Sequence, residues 1–219
     1  MSIAETIEHL RRRLPPQVGL VAVSKTHSVA AIMEAYRAGQ RDFGESRPQE
    51  LQQKAEALPR DIRWHFIGHL QRNKVKLVLP YAYLIHSAHS APLLREIESA
   101  AQKQGATARC LLQLHVAQEE AKLGFAPDEL PGYLQSGEPA SLGHVQLCGL
   151  MAMATNTENA ALVRGEFQLA RRLHEQCKAL APNPTLFTQL SMGMSGDYPI
   201  AIEEGATLVR IGGLIFGSR

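Results

Sequence analysis

Lys25 closes the run Val18-Gly19-Leu20-Val21-Ala22-Val23-Ser24-Lys25. A β-branched, continuously apolar stretch is what a strand buried on both faces looks like, and lysine is the side chain least easily desolvated at its end. Two readings are open. Partial burial at the strand end lowers an amine's pKa, leaving a nucleophile able to condense with an aldehyde as a Schiff base. Alternatively, the side chain snorkels to solvent or pairs with a carboxylate such as Glu45.

A second group lies near the C-terminus. Ser191-Met192-Gly193-Met194-Ser195-Gly196-Asp197 ends one apolar run and leads into a helical segment; Arg210-Ile211-Gly212-Gly213 ends the next. Glycines let the main chain approach an anion closely, N–H groups at a helix start point at it, and serine hydroxyls add donors. The same glycines equally suit ordinary tight turns. An imine-forming lysine and a phosphate cradle together call for a ligand with both an aldehyde and a phosphate. Pyridoxal 5′-phosphate has both, and so does the sugar-phosphate aldehyde of a lysine-dependent aldolase. Arg210 bears on the choice: a guanidinium stays charged and can only donate, so beside a pyridine nitrogen it keeps that nitrogen unprotonated. The competing assignment for Arg210 is an ion pair with Glu203 or Glu204.

These groups need a frame, and the chain alternates short β-branched runs with amphipathic helical patterns. After the first strand, Ser28 caps a helix carrying Val29, Ile32, Met33 and Tyr36, with Gly39 as its left-handed stop. Further strands are expected over Arg41–Glu45, Arg63–Ile67, Tyr83–His86, Ala108–Val116, Val145–Met151, Thr185–Ser191 and Thr207–Ile211. Between them fall helices at about Pro48–Leu58, at about Gln71–Leu79, through Leu93, Leu94, Ile97 and Ala101 to a stop at Gly105, and in a short segment opened by Pro127. A long helix follows through Leu162, Phe167, Ala170 and Leu173, for which Thr155-Asn156-Thr157-Glu158 has capping-box spacing, and the last runs from about Asp197 to Glu204. Eight strands alternating with helices in 219 residues fit an α/β fold of the compact (β/α)8 TIM-barrel type, a single domain over 1–219. In such barrels the chemistry sits at the carboxyl ends of the strands, and a phosphate site is often built after strands seven and eight.

Composition narrows the function classes. A net charge of +2, scattered basic residues and 5% aromatics give nucleic-acid binding little support, and Arg11-Arg12-Arg13 reads as the solvated end of an N-terminal helix. The N-terminus has an early carboxylate and no apolar core of signal-peptide length, and no stretch approaches a membrane span, so a cytoplasmic protein is expected. Cys110, Cys148 and Cys177 are odd in number and widely spaced, which argues against a disulfide framework or a zinc site. His65 and His69 flank a strand end, and His86 and His89 likewise follow a strand, rather than sharing a helix face, so no metal is expected. His65 is read either as a core histidine bonded to backbone or as a group approaching the ligand.

The chain resembles the pyridoxal phosphate homeostasis protein family, also called YggS-type proteins, which is related in fold to the barrel domain of alanine racemase. The resemblance rests on Ala22-Val23-Ser24-Lys25-Thr26, Phe43-Gly44-Glu45, Trp64-His65-Phe66-Ile67-Gly68, Leu70-Gln71-Arg72-Asn73-Lys74, Gly149-Leu150-Met151, Leu190-Ser191-Met192-Gly193-Met194-Ser195, Val209-Arg210-Ile211-Gly212 and Ile215-Phe216-Gly217. It implies the fold type III arrangement of pyridoxal phosphate proteins, with the cofactor on Lys25, with Ser191, Ser195, Gly212 and Gly213 around the phosphate, and with Arg210 facing the pyridine nitrogen.

Three positions depart from the family pattern: Ser46 where asparagine is usual, His69 where proline is usual, and Gly213 where serine or threonine is common. Loss of one hydroxyl donor at Gly213 is expected to weaken phosphate binding by roughly 1–2 kcal/mol. A racemase of this fold takes its second acid/base from a C-terminal β-domain, and the sequence given closes at Ser218-Arg219 soon after the eighth strand. The resemblance therefore implies a carrier or regulator of pyridoxal phosphate with no catalytic residue, a monomer or weak homodimer with apo pyridoxal phosphate enzymes as acceptors. A small racemase or aldolase-like enzyme is the alternative.

Overall fold

Each apolar run of the sequence becomes one stave of a barrel. The computed structural model describes residues 1–118 and 123–217. In chain order, α1 (Ile3–Arg13) precedes β1 (Gly19–Val23), α2 (Val29–Arg37), β2 (Asp42–Glu45), α3 (Pro48–Ala57) and β3 (Arg63–Phe66). A 3-10 turn over Arg72–Lys74 runs into α4 (Val75–Val78), then β4 (Ala82–Ala88), α5 (Ala91–Gln104) and β5 (Ala108–Leu114). The short α6 (Glu129–Gln135) and α7 (Glu138–Ser141) lead to β6 (Val145–Ala152), α8 (Ala160–Leu180), β7 (Gln189–Ser191), α9 (Tyr198–Glu203), β8 (Leu208–Ile211) and α10 (Gly213–Phe216). The eight strands are parallel and close as β1 to β8 in sequence order, with β8 returning to β1 through Val21 opposite Arg210 and Ala22 opposite Ile211.

Strand alternation sorts side chains into two compartments. Residues such as Ala22, Phe43, Phe66, Leu112, Leu150 and Val209 face outward, where they join the buried faces of the helices, including Ile32, Leu94, Ile97 and Phe167. Alternate residues face the barrel interior, where, among the described residues, the buried apolar cluster is Leu84, Leu111, Cys148 and Met151. Much of the rest of the interior is polar: His65, His86, Gln113, Ser191 and Arg210 are all buried.

The local signals mostly act as expected. Ser28 accepts a hydrogen bond from the Ala31 N–H, and Gly39 and Gly105 stand in left-handed conformations where α2 and α5 stop. Three expectations change. The segment Thr185–Thr188 is not strand: residues 184–186 form a turn, in which the Leu186 N–H bonds back to the Asn183 carbonyl and the Thr185 hydroxyl to the Asn183 side chain, and β7 starts only at Gln189. Thr155 does not cap α8; its N–H and hydroxyl both donate to Glu166 (2.7 and 2.6 Å), and Asn159 caps the helix by accepting from the Ala161 and Leu162 N–H groups. The segment expected as a helix from Gln71 is a 3-10 turn with a single following helical turn. Ser218 and Arg219 lie outside the described residues.

Candidate functional site

Lys25 stands two residues past β1 in the turn Ser24-Lys25-Thr26-His27, closed by the His27 N–H on the Ser24 carbonyl at 3.0 Å. Its side chain is half-buried. Thr26 has φ +69°, the left-handed region that a β-branched residue occupies only under constraint. The constraint is visible. The Thr26 N–H donates to Glu50 Oε1 (2.5 Å), and the Ser24 hydroxyl donates to Glu45 Oε1 (2.6 Å). The buried Lys54 ammonium bridges both carboxylates (2.7 and 2.8 Å) and also donates to the Ser24 carbonyl at 2.8 Å. Burial raises the Glu45 carboxyl, with Lys54 and Ser24 opposing. The turn carrying Lys25 is thus tied to α3 by a buried charge network, and Glu45 has Lys54 as its ion-pair partner.

The loop after β8 packs directly beside that turn. A Cβ on Gly212 would meet the Val23 carbonyl oxygen at 3.1 Å, and Phe216 of α10 stacks on His27 with ring centroids 4.8 Å apart. Gly193, at φ +91°, brings the loop after β7 against α9, where a Cβ would press on Ala201 at 2.6 Å. This delivers Ser195 to the start of α10: its hydroxyl would lie 3.9 Å from a Cβ on Gly213, with no other heavy atom within 4 Å of that Cβ. Gly213 is therefore not a steric requirement, since a Cβ there makes only ordinary van der Waals contact. The first N–H groups of a helix have no intrahelical acceptor, and here they adjoin the Ser195 hydroxyl. An alcohol donor, main-chain amides and open space between glycines fit a phosphate.

Arg210, on the penultimate residue of β8, points into the barrel and is buried. One nitrogen donates to Ser191 Oγ at 2.7 Å and another to the Ala152 carbonyl at 3.0 Å. Burial pulls its pKa down to about 10, with Asp197 pulling the other way, so it remains a cation at neutral pH. Glu203 and Glu204 both pair with Arg164 instead. Below Arg210 the polar groups continue as a chain: Ser191 Oγ to His86 Nδ1 (3.0 Å), His86 Nε2 to His65 Nδ1 (2.8 Å), and His65 Nε2 to Asp42 Oδ1 (3.0 Å).

Lys25, Ser195, Gly212, Gly213 and Arg210 thus come together at the carboxyl ends of the strands. Ser191 does not join them as the sequence reading places it. That reading groups it with Ser195 at the phosphate, but inward alternation on β7 leaves its hydroxyl fully buried between Arg210 and His86. His65 bonds to side chains rather than to backbone, and lies on the Asp42 side of the chain, away from Ser195 and Gly213. The His69 and His89 rings lie tilted beside each other (centroids 5.0 Å apart), and among the described residues no group of three His, Cys, Asp or Glu side chains is placed to hold a metal ion. Sequence reasoning missed Lys54, whose one signal is its i,i+4 spacing from Glu50. It missed His86 as well, whose signal is a histidine inside an otherwise apolar strand.

Comparison with known proteins bears on the family and the fold. The alanine racemase N-terminal domain family matches residues 1–219. The pyridoxal phosphate homeostasis protein of Synechocystis sp. is 40% identical over 212 residues, covering 94% of each chain. Among solved structures, PipY of Synechococcus elongatus without pyridoxal phosphate superposes with a TM-score of 0.93 at 40% identity, covering 99% of this chain and 100% of that one; its form with pyridoxal phosphate bound gives 0.88. Alanine racemase from Bartonella henselae, 17% identical, shares the fold with a TM-score of 0.77, covering 99% of this chain and 58% of the racemase. The eight-stranded barrel and these full-length likenesses coincide: the chain belongs to the pyridoxal phosphate homeostasis protein family, within the alanine racemase N-terminal domain fold.

Proposed function

We propose that this protein binds pyridoxal 5′-phosphate as a Schiff base on Lys25 and serves intracellular vitamin B6 homeostasis as a carrier or regulator. The observation that carries this reading is the placement of Lys25 on a constrained turn beside the Ser195–Gly213 cradle, with the Arg210 cation buried within the same barrel mouth. Ser195, Gly212 and Gly213 hold the phosphate, and Arg210 faces the ring nitrogen. When bound, the cofactor supplies an aldehyde and an electron-withdrawing ring. The protein's own part is to present an amine, neutralise the phosphate with hydrogen-bond donors, and keep a permanent cation at the ring so that the nitrogen stays unprotonated. That last property weakens the ring as an electron sink and favours storage over chemistry.

The same reading makes the chain a single cofactor-binding domain over 1–219, cytoplasmic, a monomer or weak homodimer, with apo pyridoxal phosphate enzymes as acceptors. Three buried free cysteines suit the cytoplasmic assignment. Among the described residues no helix is long and apolar enough to cross a membrane. The fold shared with racemases and with a D-threonine aldolase favours the second reading, a small enzyme. Borohydride reduction with peptide mapping tests the site: a pyridoxyl adduct is expected on Lys25 and absent in Lys25→Ala, and no adduct after incubation with the cofactor overturns the proposal. Bleaching of the imine absorbance by an amino acid, with turnover, would move the protein to the enzyme class.

A further inference from the structure

The buried chain from Arg210 to Asp42 has ends whose roles are fixed by chemistry. A guanidinium only donates and a carboxylate only accepts. When both rings are neutral, His65 must donate from Nε2 to Asp42, which leaves its Nδ1 to accept. His86 must then donate from Nε2 to His65 and accept at Nδ1. Ser191, already accepting from Arg210, gives its one hydroxyl proton to His86. Every bond thus runs one way, from Arg210 down to Asp42, and no polar atom in the chain is left over.

The far end is open. A cavity of about 490 Å³ at the amino ends of the strands is lined by Asp42, Arg63 and His65, together with Tyr83 and Arg109. Building on the proposed function, we propose that Ser191, His86 and His65 are positioning residues for Arg210, and that they transmit the protonation state of His65 from this cavity to the ring-nitrogen end of the cofactor site. The groups that bias His65 are Asp42, to which it donates, Arg63 paired with Asp42, His86, and the Tyr83 ring with Arg109 above it. Those facing His86 are His65 and Arg210. Burial, His65 and the Arg210 cation hold His86 well below the ordinary imidazole range. Of the two rings it is His65 that lines the cavity and contacts the Asp42 carboxylate, so the geometry assigns an added proton to His65.

Protonation of His65, with the added proton drawn from hydronium in the solvent, makes both of its nitrogens donors. His86 Nε2 must then accept, its single proton sits on Nδ1, and Ser191 Oγ accepts from His86 as well as from Arg210. The hydroxyl proton of Ser191 turns away from His86, and Arg210 shares its acceptor with a second donor. The covalent changes are the N–H bonds of the two rings and the O–H bond of the solvent hydronium ion that gives up the added proton.

Two measurements test this. In the cofactor-free protein, nitrogen–proton correlation NMR of the histidine rings is expected to show Nε2–H on both His65 and His86 at high pH, and Nδ1–H on His86 once His65 is protonated. An Nδ1–H His86 at high pH, or a His86 tautomer indifferent to the titration of His65, overturns the proposal whether or not cofactor binds. In the loaded protein, the imine absorbance is expected to show a pH step coinciding with the His65 titration. That step should vanish in Ser191→Ala and in His65→Gln, while reduction still places the adduct on Lys25. A step that persists in Ser191→Ala refutes the relay; loss of the adduct in every form, with the NMR result intact, refutes the cofactor assignment alone.

Discussion

Outside the strands, Phe43, Phe66, Phe167 and Phe187 are fully buried among leucines and isoleucines. Inside them, the buried apolar cluster is four side chains, and a line of hydrogen-bonded serine, histidine and carboxylate crosses beside it. The outer layer holds the barrel by removing hydrocarbon from water, a contribution that is non-directional and tolerant of which residue supplies it. The interior depends on every donor finding its acceptor, and a single missing partner leaves a buried polar group exposed to that cost. The two layers therefore differ in what disturbs them: volume in one, protons and partners in the other.

Phe66→Ala probes the outer layer and has the largest expected effect, a loss of ~3–5 kcal/mol from the cavity it leaves. In denaturant unfolding that loss should be the same at pH 7 and pH 4. Asp42 probes the inner layer. Burial alone would raise its carboxyl, but the hydrogen bond from His65 and the paired Arg63 overcome this and bring it down to about 2. The folded value lies below the unfolded one, so the stabilisation is present in full above the unfolded value and fades as pH falls towards about 2. It amounts to roughly 2 kcal/mol. Asp42→Asn should cost about that much at pH 7 and progressively less below pH 4; a pH-independent deficit would assign Asp42 a packing role only. The smallest effect lies at the rim where the layers meet. Gly213→Ser fills open space beside Ser195 and supplies the missing hydroxyl, and should tighten pyridoxal phosphate binding by ~1–2 kcal/mol, on the order of tenfold, in an apoprotein titration.

The outer layer was legible in the sequence because burial against helices imposes periods that can be read. Ile32, Leu94, Ile97 and Phe167 fall where helical spacing puts them, and Ser28 and Gly105 mark the helix ends. Lys25 was legible for the opposite reason, as a charged residue ending an apolar run. Pairings inside the barrel leave no such trace. Ser191 and Ser195 are four residues apart and look equivalent, yet strand alternation turns one inward while the loop carries the other to α10. His86 meets Ser191 across 105 positions of sequence, a contact that only closure of the barrel creates. Lys54 sits in a helix of polar residues, where its i,i+4 spacing from Glu50 looks the same as that of a surface pair and does not mark it as the buried cation behind the Lys25 turn.

Arg210 is a permanent cation in a dry place, and among the described residues it has only a hydroxyl and a carbonyl as direct partners. A charge held that way makes the empty barrel less stable than a neutral side chain of similar size would. Arg210→Met should raise the melting temperature of the unloaded protein while weakening its hold on the cofactor. On stability grounds alone Arg210 is a liability to the fold, and what offsets that liability is use of the site.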